Sequence, residues 1–233
     1  MNWKRFLTVT AVAGLLLSLA APFALAGAES DKVAASLEVL RDITRIPEKG
    51  LPEALLSNAH AIAIIPDVLK VGFVVGGKYG TGIVMVHKND GTWSNPAFVS
   101  LVGGSFGWQI GAEATDLILV FKSKKSIEGI INGKFTFGAD ASVAAGPVGR
   151  SASASTDVLL KAEIISYSRS RGVFAGVSLG GAALQIDEEN NAAFYNKPGV
   201  GANDILYGEP KSPSGTVWKI KALLTEYSKP PVK

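Results

Sequence analysis

The chain has 233 residues, 47% of them hydrophobic, with 23 Lys and Arg against 20 Asp and Glu and no cysteine. That length and apolar content allow a sizeable core. The absence of cysteine excludes disulfides, thiolate catalysis, cysteine–zinc sites and a lipid-modified cysteine, and the near balance of charge does not announce a nucleic-acid partner.

Lys4 and Arg5 precede the apolar run FLTVTAVAGLLLSLAA, and Ala24 and Ala26 stand just before Gly27. A positive start, an apolar centre and a small-x-small exit are the parts of a secretory signal peptide. Residues 1–26 are therefore read as a leader cleaved between Ala26 and Gly27, and the protein as exported, with a bacterial periplasm as its destination. An uncleaved anchor is the alternative, because Phe6 to Ala26 nearly spans a bilayer. Loss of the leader leaves 21 basic residues against the 20 acidic ones. The remainder is read as a single domain over 27–228 with a loose tail at 229–233.

Asp31 to Ile46 carries Val33, Leu37, Leu40 and Ile43 at helical spacing, and Pro47 and Gly50 end the helix. Pro52 opens a second short helix, EALLSNA. AIAIIP is a short apolar run, more strand than helix. From Val71 to about Ile186 the pattern is mostly extended, with Asn89-Asp90-Gly91 as a turn signal and glycines inside the strands. GFVVGGKYGTGIVMV reads as strand, turn, strand, which places Lys78 in a first hairpin. One helix interrupts around Ser126 to Ile131, DEENN reads as a solvated turn, and SGTVWKIKALLTEYSK closes the chain as an amphipathic helix. The fold class expected is α+β: a strongly curved, mostly antiparallel sheet forming a partly closed barrel, with N-terminal and C-terminal helices.

The catalytic patterns fail on chemistry. Gly72 to Tyr79 reads G-x-x-x-x-G-K, but Tyr79 stands where a phosphate loop needs Ser or Thr, and Phe73, Val74 and Val75 favour extended backbone. GGSFG around Ser105 and GVSLG around Ser178 match a nucleophile elbow, yet no histidine follows either serine and no convincing helix does. His60 and His87 are 27 positions apart and make no metal-ligand spacing, so ordinary structural histidines are expected. No catalytic residue, metal site or cofactor is assigned.

Basic residues beside glycine-rich turns are the better signal. Lys70, Lys78, Arg150, Arg169 and Arg171 could meet an anion together with exposed turn amides. Arg169 and Arg171 would share a strand face about 7 Å apart.

IPDVLKVGFVVGGKYGTG, WSNPAFVSLVGGSFGWQIGAEATDLILVF, FGADASVAAGPVGR and YSRSRGVFAGVSLGG, in that order, resemble the SYLF family of lipid-binding domains over about Pro52 to Gly208. The resemblance implies one α+β domain, no catalytic activity, and binding to phospholipids, phosphoinositides among them in eukaryotic members. It also implies a membrane-contacting helix ahead of the strands, and some relatives bind actin; export makes actin an unsuitable partner here. Lys70, Lys78, Arg150, Arg169 and Arg171 fall in matching segments and become the lipid-headgroup candidates. Trp93, Trp108, Leu37 and Leu40 are the membrane-contact candidates, with core packing as the alternative role for both tryptophans. The function expected is non-catalytic binding of an anionic phospholipid headgroup at a membrane surface, without nucleic acid. An envelope structural or protein-interaction module is the rival.

Overall fold

The computed structural model describes residues 27–45, 51–146, 161–170, 173–176, 179–208, 210–212 and 214–229, with backbone alone at 53–54, 71–75, 105–113, 134 and 173–176. The leader expected at 1–26 lies outside the described residues. Helix α1 covers 27–45 and α2 covers Glu53–Ser57. Two very long strands follow, β1 (Ala61–Val86) and β2 (Ala97–Phe121). Then come α3 (Lys124–Ile131), β3 (Lys134–Thr136), β4 (Val143–Ala145), β5 (Ile164–Ser170), β6 (Val173–Gly176) and β7 (Ala183–Ile186). Helices α4 (Glu188–Tyr195), α5 (Ala202–Gly208) and α6 (Gly215–Tyr227) complete the chain.

The described strands form one seven-stranded sheet. β2 is its hub, pairing with β1, β5 and β7, while β3 pairs with β7, and β4 and β6 flank β5. Among the described strands every pairing is antiparallel except β4 with β5. The sheet curls into a half-barrel with helices at both ends of the chain, the α+β class expected.

Several local expectations change. GFVVGGKYGTGIVMV is not strand, turn, strand: β1 runs through it without a break and takes in AIAIIP as well. Likewise β2 joins PAFVSLVGGSFGWQIGA to DLILVF. Lys78 therefore lies within a strand, and the first hairpin turn falls after Val86, at Asn89-Asp90-Gly91. The reason is visible in the register. Gly72 stands opposite Gly111, and Gly77 opposite Gly104. Glycines facing one another let both strands bend together, so the ribbon bends instead of ending. DEENN is also more than a turn: Asp187 caps α4, its Oδ1 accepting from Asn190 N at 3.1 Å.

The bend is large. His87 N donates to the His60 carbonyl at 2.9 Å, so the two ends of β1 meet. At Gly82 a Cβ would lie 2.2 Å from the Ile64 carbonyl oxygen and 2.6 Å from Ile65 Cα. The two limbs of β1 cross in backbone contact there, and only glycine fits. A second irregularity sits between Ile65 and Val68, where β1 carries one residue more than β2. Asp67 takes a positive φ of 52° at this bulge, and its N–H donates to Asp116 Oδ1 at 3.1 Å.

Towards the two ends of the ribbon both sheet faces are buried, which explains apolar runs there without alternation. Ile62, Ile64, Ile83, Phe98, Ile118 and Val120 point to one face, where they pack with α1, α2 and α6. Ala63, Ile65, Val84, Val99, Leu119 and Phe121 point to the other, against α3 and α5. Long-range polar contacts tie the helices of the first layer to the hairpin and to one another. Trp93 Nε1 donates to Ser228 Oγ (3.2 Å), and Tyr227 hydroxyl donates to the Thr44 carbonyl (3.3 Å). The buried Asn191 Oδ1 accepts from Phe98 N at 2.7 Å.

Candidate anion-binding surface

Lys70 and Lys78 lie eight residues apart on β1. A straight strand would separate them by about 26 Å, too far for one charge to act on another in salt water. Yet the Lys78 ammonium is held below the ordinary lysine value, first by burial and second by the positive charge of Lys70. The register shift between Gly72 and Val74 interrupts the regular ribbon between them, so the path from Lys70 to Lys78 is not that of a straight strand and the charge of Lys70 reaches Lys78. Lys78 stands opposite Gly103, and a Cβ on that glycine would sit 3.5 Å from the Lys78 Cγ and 2.7 Å from the Ala182 Cβ. The lysine stem thus passes over a position without a side chain.

Exposed apolar groups accompany this pair. Leu69, Tyr79 and Val102 are 46%, 56% and 47% exposed, and Tyr79 faces Val102 across the ribbon. Leu69 neighbours Lys70 and Tyr79 neighbours Lys78 along the strand, so each apolar side chain points to the opposite face of the ribbon from the lysine beside it, and Lys70 stands opposite Glu113 in the register. The exposed apolar side chains occupy the middle of the ribbon, away from the ends of β1 that meet at His60 and His87. A groove of about 650 Å³ beside Tyr79 and Val102 is bordered by Asp187, Glu188 and Glu189, and those carboxylates repel an anion from that side.

Arg169 is placed differently. It stands directly opposite Asp116 on β2, with Nε 2.9 Å from Asp116 Oδ2, and it also bonds Asp42 of α1. Burial alone would lower its pKa; hydrogen bonds and charge from Asp42 and Asp116 reverse this, so that the net direction is upward. Two carboxylates compensate this guanidinium, which locks α1 onto the sheet. Arg150 and Arg171 lie outside the described residues, and so does the proposed pairing of Arg169 with Arg171. Among the membrane-contact candidates, Trp93, Leu37 and Leu40 are buried, at 0%, 4% and 1% exposure. As folded, they serve the core. Trp108 belongs to the stretch described by backbone alone, at the irregularity where Gly107 pairs with Val74 and Gly111 with Gly72.

Sequence reasoning missed Trp218, which is 72% exposed on α6. Its position off the Val217, Ile220, Leu224 stripe was the available signal, since those three are the buried residues of that helix. Ser105 lies in an unbroken strand, so the GGSFG pattern makes no strand-to-helix elbow. Gly72 to Tyr79 is continuous strand and forms no phosphate loop.

A curled α+β sheet built on a bent glycine-rich ribbon, flanked by helices, is the class of domain that these elements define. Residues 102–227 match the family model Ysc84, described as Las17-binding protein actin regulator, and the chain belongs to this SYLF (Ysc84) family. It is 35% identical over 183 residues to SH3 domain-containing YSC84-like protein 1 of Homo sapiens, covering 76% of this chain and 53% of that protein. It is 36% identical over 169 residues to Protein YSC84 of Saccharomyces cerevisiae, covering 71% of this chain and 36% of that protein. The chain thus spans about half, or less, of the length of these relatives. The family is named for regulation and binding.

Proposed function

We propose that this chain is an exported, non-catalytic member of its family that binds anionic phospholipid at a membrane surface through the bent middle of the β1–β2 ribbon. The carrying observation is the exposure of Leu69, Tyr79 and Val102 in the middle of the ribbon, where Lys78 is held below the ordinary lysine value first by burial and second by the charge of Lys70. An ammonium disfavoured by burial and by a like charge gains when a phosphate settles beside it. Neighbouring apolar side chains then meet the acyl boundary. The signal-like residues 1–26 support export, and the periplasm is the compartment that fits them. The Arg169 bridge to Asp42 and Asp116 directs the headgroup role towards the two lysines.

Vesicle flotation of the chain tests this. Recovery with anionic phosphatidylglycerol vesicles should exceed recovery with neutral phosphatidylcholine, and Lys70→Glu with Lys78→Glu should abolish the difference. Equal recovery on both vesicles, at background, rejects the reading. The description of the family model, a Las17-binding protein, favours a second reading, a protein partner bound by the same family fold. Capture of a protein that withstands the double reversal, with no vesicle binding, would support it.

A further inference from the structure

We propose that the cleft where the two ends of β1 meet is a second anion-binding site, built for a phosphate or phosphomonoester group. The cleft holds about 420 Å³ and is lined by His60, His87, Lys88, Lys124, Ile127 and Tyr207, with Val86 and Asn89. Four of these side chains are cationic or can become so, and among the described residues lining it there is no carboxylate. The 27-residue gap between the histidines hides this arrangement, because only the closure of β1 joins them: His87 N donates to the His60 carbonyl at 2.9 Å.

The His87 ring is held in place before any ligand arrives. It stacks on Trp93 with centroids 4.7 Å apart and planes 9° from parallel. Its Nδ1 lies 3.1 Å from the Ala59 carbonyl oxygen. A carbonyl accepts only from N–H, so Nδ1 carries the proton and Nε2 is the nitrogen not used in that bond. Nε2 can accept from a protonated phosphate oxygen or, as imidazolium, donate to an ionised one.

Helix α3 adds to the field. Lys124 and Ile127, both in its first turn, border the cleft, and the positive end of a helix favours an anion. Lys124 pairs with Glu128 at 3.4 Å, but the two side chains are 68% and 51% exposed. A surface pair of that kind is worth at most about 1 kcal/mol and exchanges readily for a ligand. Tyr207, 41% exposed, supplies a surface for the carbon part of a phosphomonoester, over a floor closed by the buried Val86 and Ile127. The volume suits a small molecule.

This site shares no residue with the lysine surface of the ribbon and lies about 30 Å of strand beyond Lys78, so either can fail without the other. The two histidines of the full chain give two imidazole signals for nitrogen-detected NMR. Inorganic phosphate and phenyl phosphate, titrated to about 10 mM, should shift the His87 signal saturably, with sodium chloride at equal ionic strength giving no such shift. Lys88→Ala with Lys124→Ala should weaken the response at least roughly tenfold, the loss of about one charge-assisted hydrogen bond, while Lys70→Ala with Lys78→Ala leaves it unchanged. Phosphatidic acid vesicles separate the sources. Saturation by free phosphates marks a soluble ligand, and saturation by the vesicles alone marks a lipid headgroup; either supports the site. No saturable shift with any of these probes, or a shift that survives the Lys88/Lys124 double variant, overturns it.

Discussion

Arg169 shows how one side chain can join distant parts of the chain. It takes Asp116 across the sheet and Asp42 from the first helix, while Asp116 also holds the Asp67 bulge. Arg169→Ala would leave Asp116, whose side chain is 12% exposed, without its cation. The expected loss is about 2–3 kcal/mol in urea unfolding, more than Asp42→Asn, because Asp42 is the more exposed carboxylate. Lys78 carries the opposite signature. Its depressed pKa means that the unfolded chain binds the proton more tightly, so this group costs stability below the folded pKa. That cost fades as pH rises from the lowered folded pKa towards the ordinary lysine value. Lys70→Ala should raise the Lys78 pKa partway, since burial is the larger cause, and anionic vesicles should raise it further; lysine side-chain NMR reads both. A Lys78 pKa insensitive to Lys70→Ala would remove the coupled pair.

The ribbon depends on glycine at its crossing. Gly82→Ala would drive a methyl into the Ile64 carbonyl and the Ile65 Cα, and backbone cannot step aside as a side-chain tip can. The expected cost is about 3 kcal/mol or more, with loss of cooperative thermal unfolding in a weak background. Helix α6 offers a contrast between its two sides. Ile220 is fully buried, whereas Trp218 is 72% exposed. Ile220→Ala should cost about 2–5 kcal/mol, and Trp218→Ala should stay within about 0.5 kcal/mol; chemical denaturation distinguishes them. Equal effects would mean that α6 presents a different face. The apolar stripe of α6 is readable in the sequence because helical spacing repeats every 3.6 residues and burial follows it. The length of β1 is not, since a glycine pair looks like a turn until its partner strand is seen bending with it.

The whole molecule is a curled sheet with helices packed on both faces, and its ties span the chain. Trp93 bonds Ser228, and Thr44 receives Tyr227. Contacts so distant in sequence close late, after large loops have lost their entropy. Refolding of the chain should therefore take milliseconds to seconds and not microseconds, a range stopped-flow tryptophan fluorescence covers. Burial of Trp93 should report closure of the first layer. The same closure creates the two surfaces of interest. It sets Lys70 and Lys78 in the bent middle of the ribbon, and it joins His60 to His87 at the ends.

Sequence alone determined the family, the α+β class, the helical spacing of the apolar residues in the first and last helices, and the basic residues worth watching. Each of these is written in local composition and spacing, or in long segments that resemble a known domain. Tertiary structure decided which of those charges stand together. Arg169 was drawn into a structural bridge, Trp93, Leu37 and Leu40 were drawn into the core, Lys70 and Lys78 were coupled, and two histidines became neighbours. The physical reason is that a glycine-rich strand encodes freedom to bend but not the angle of the bend. That angle is set only when both sheet faces find the helices that bury them.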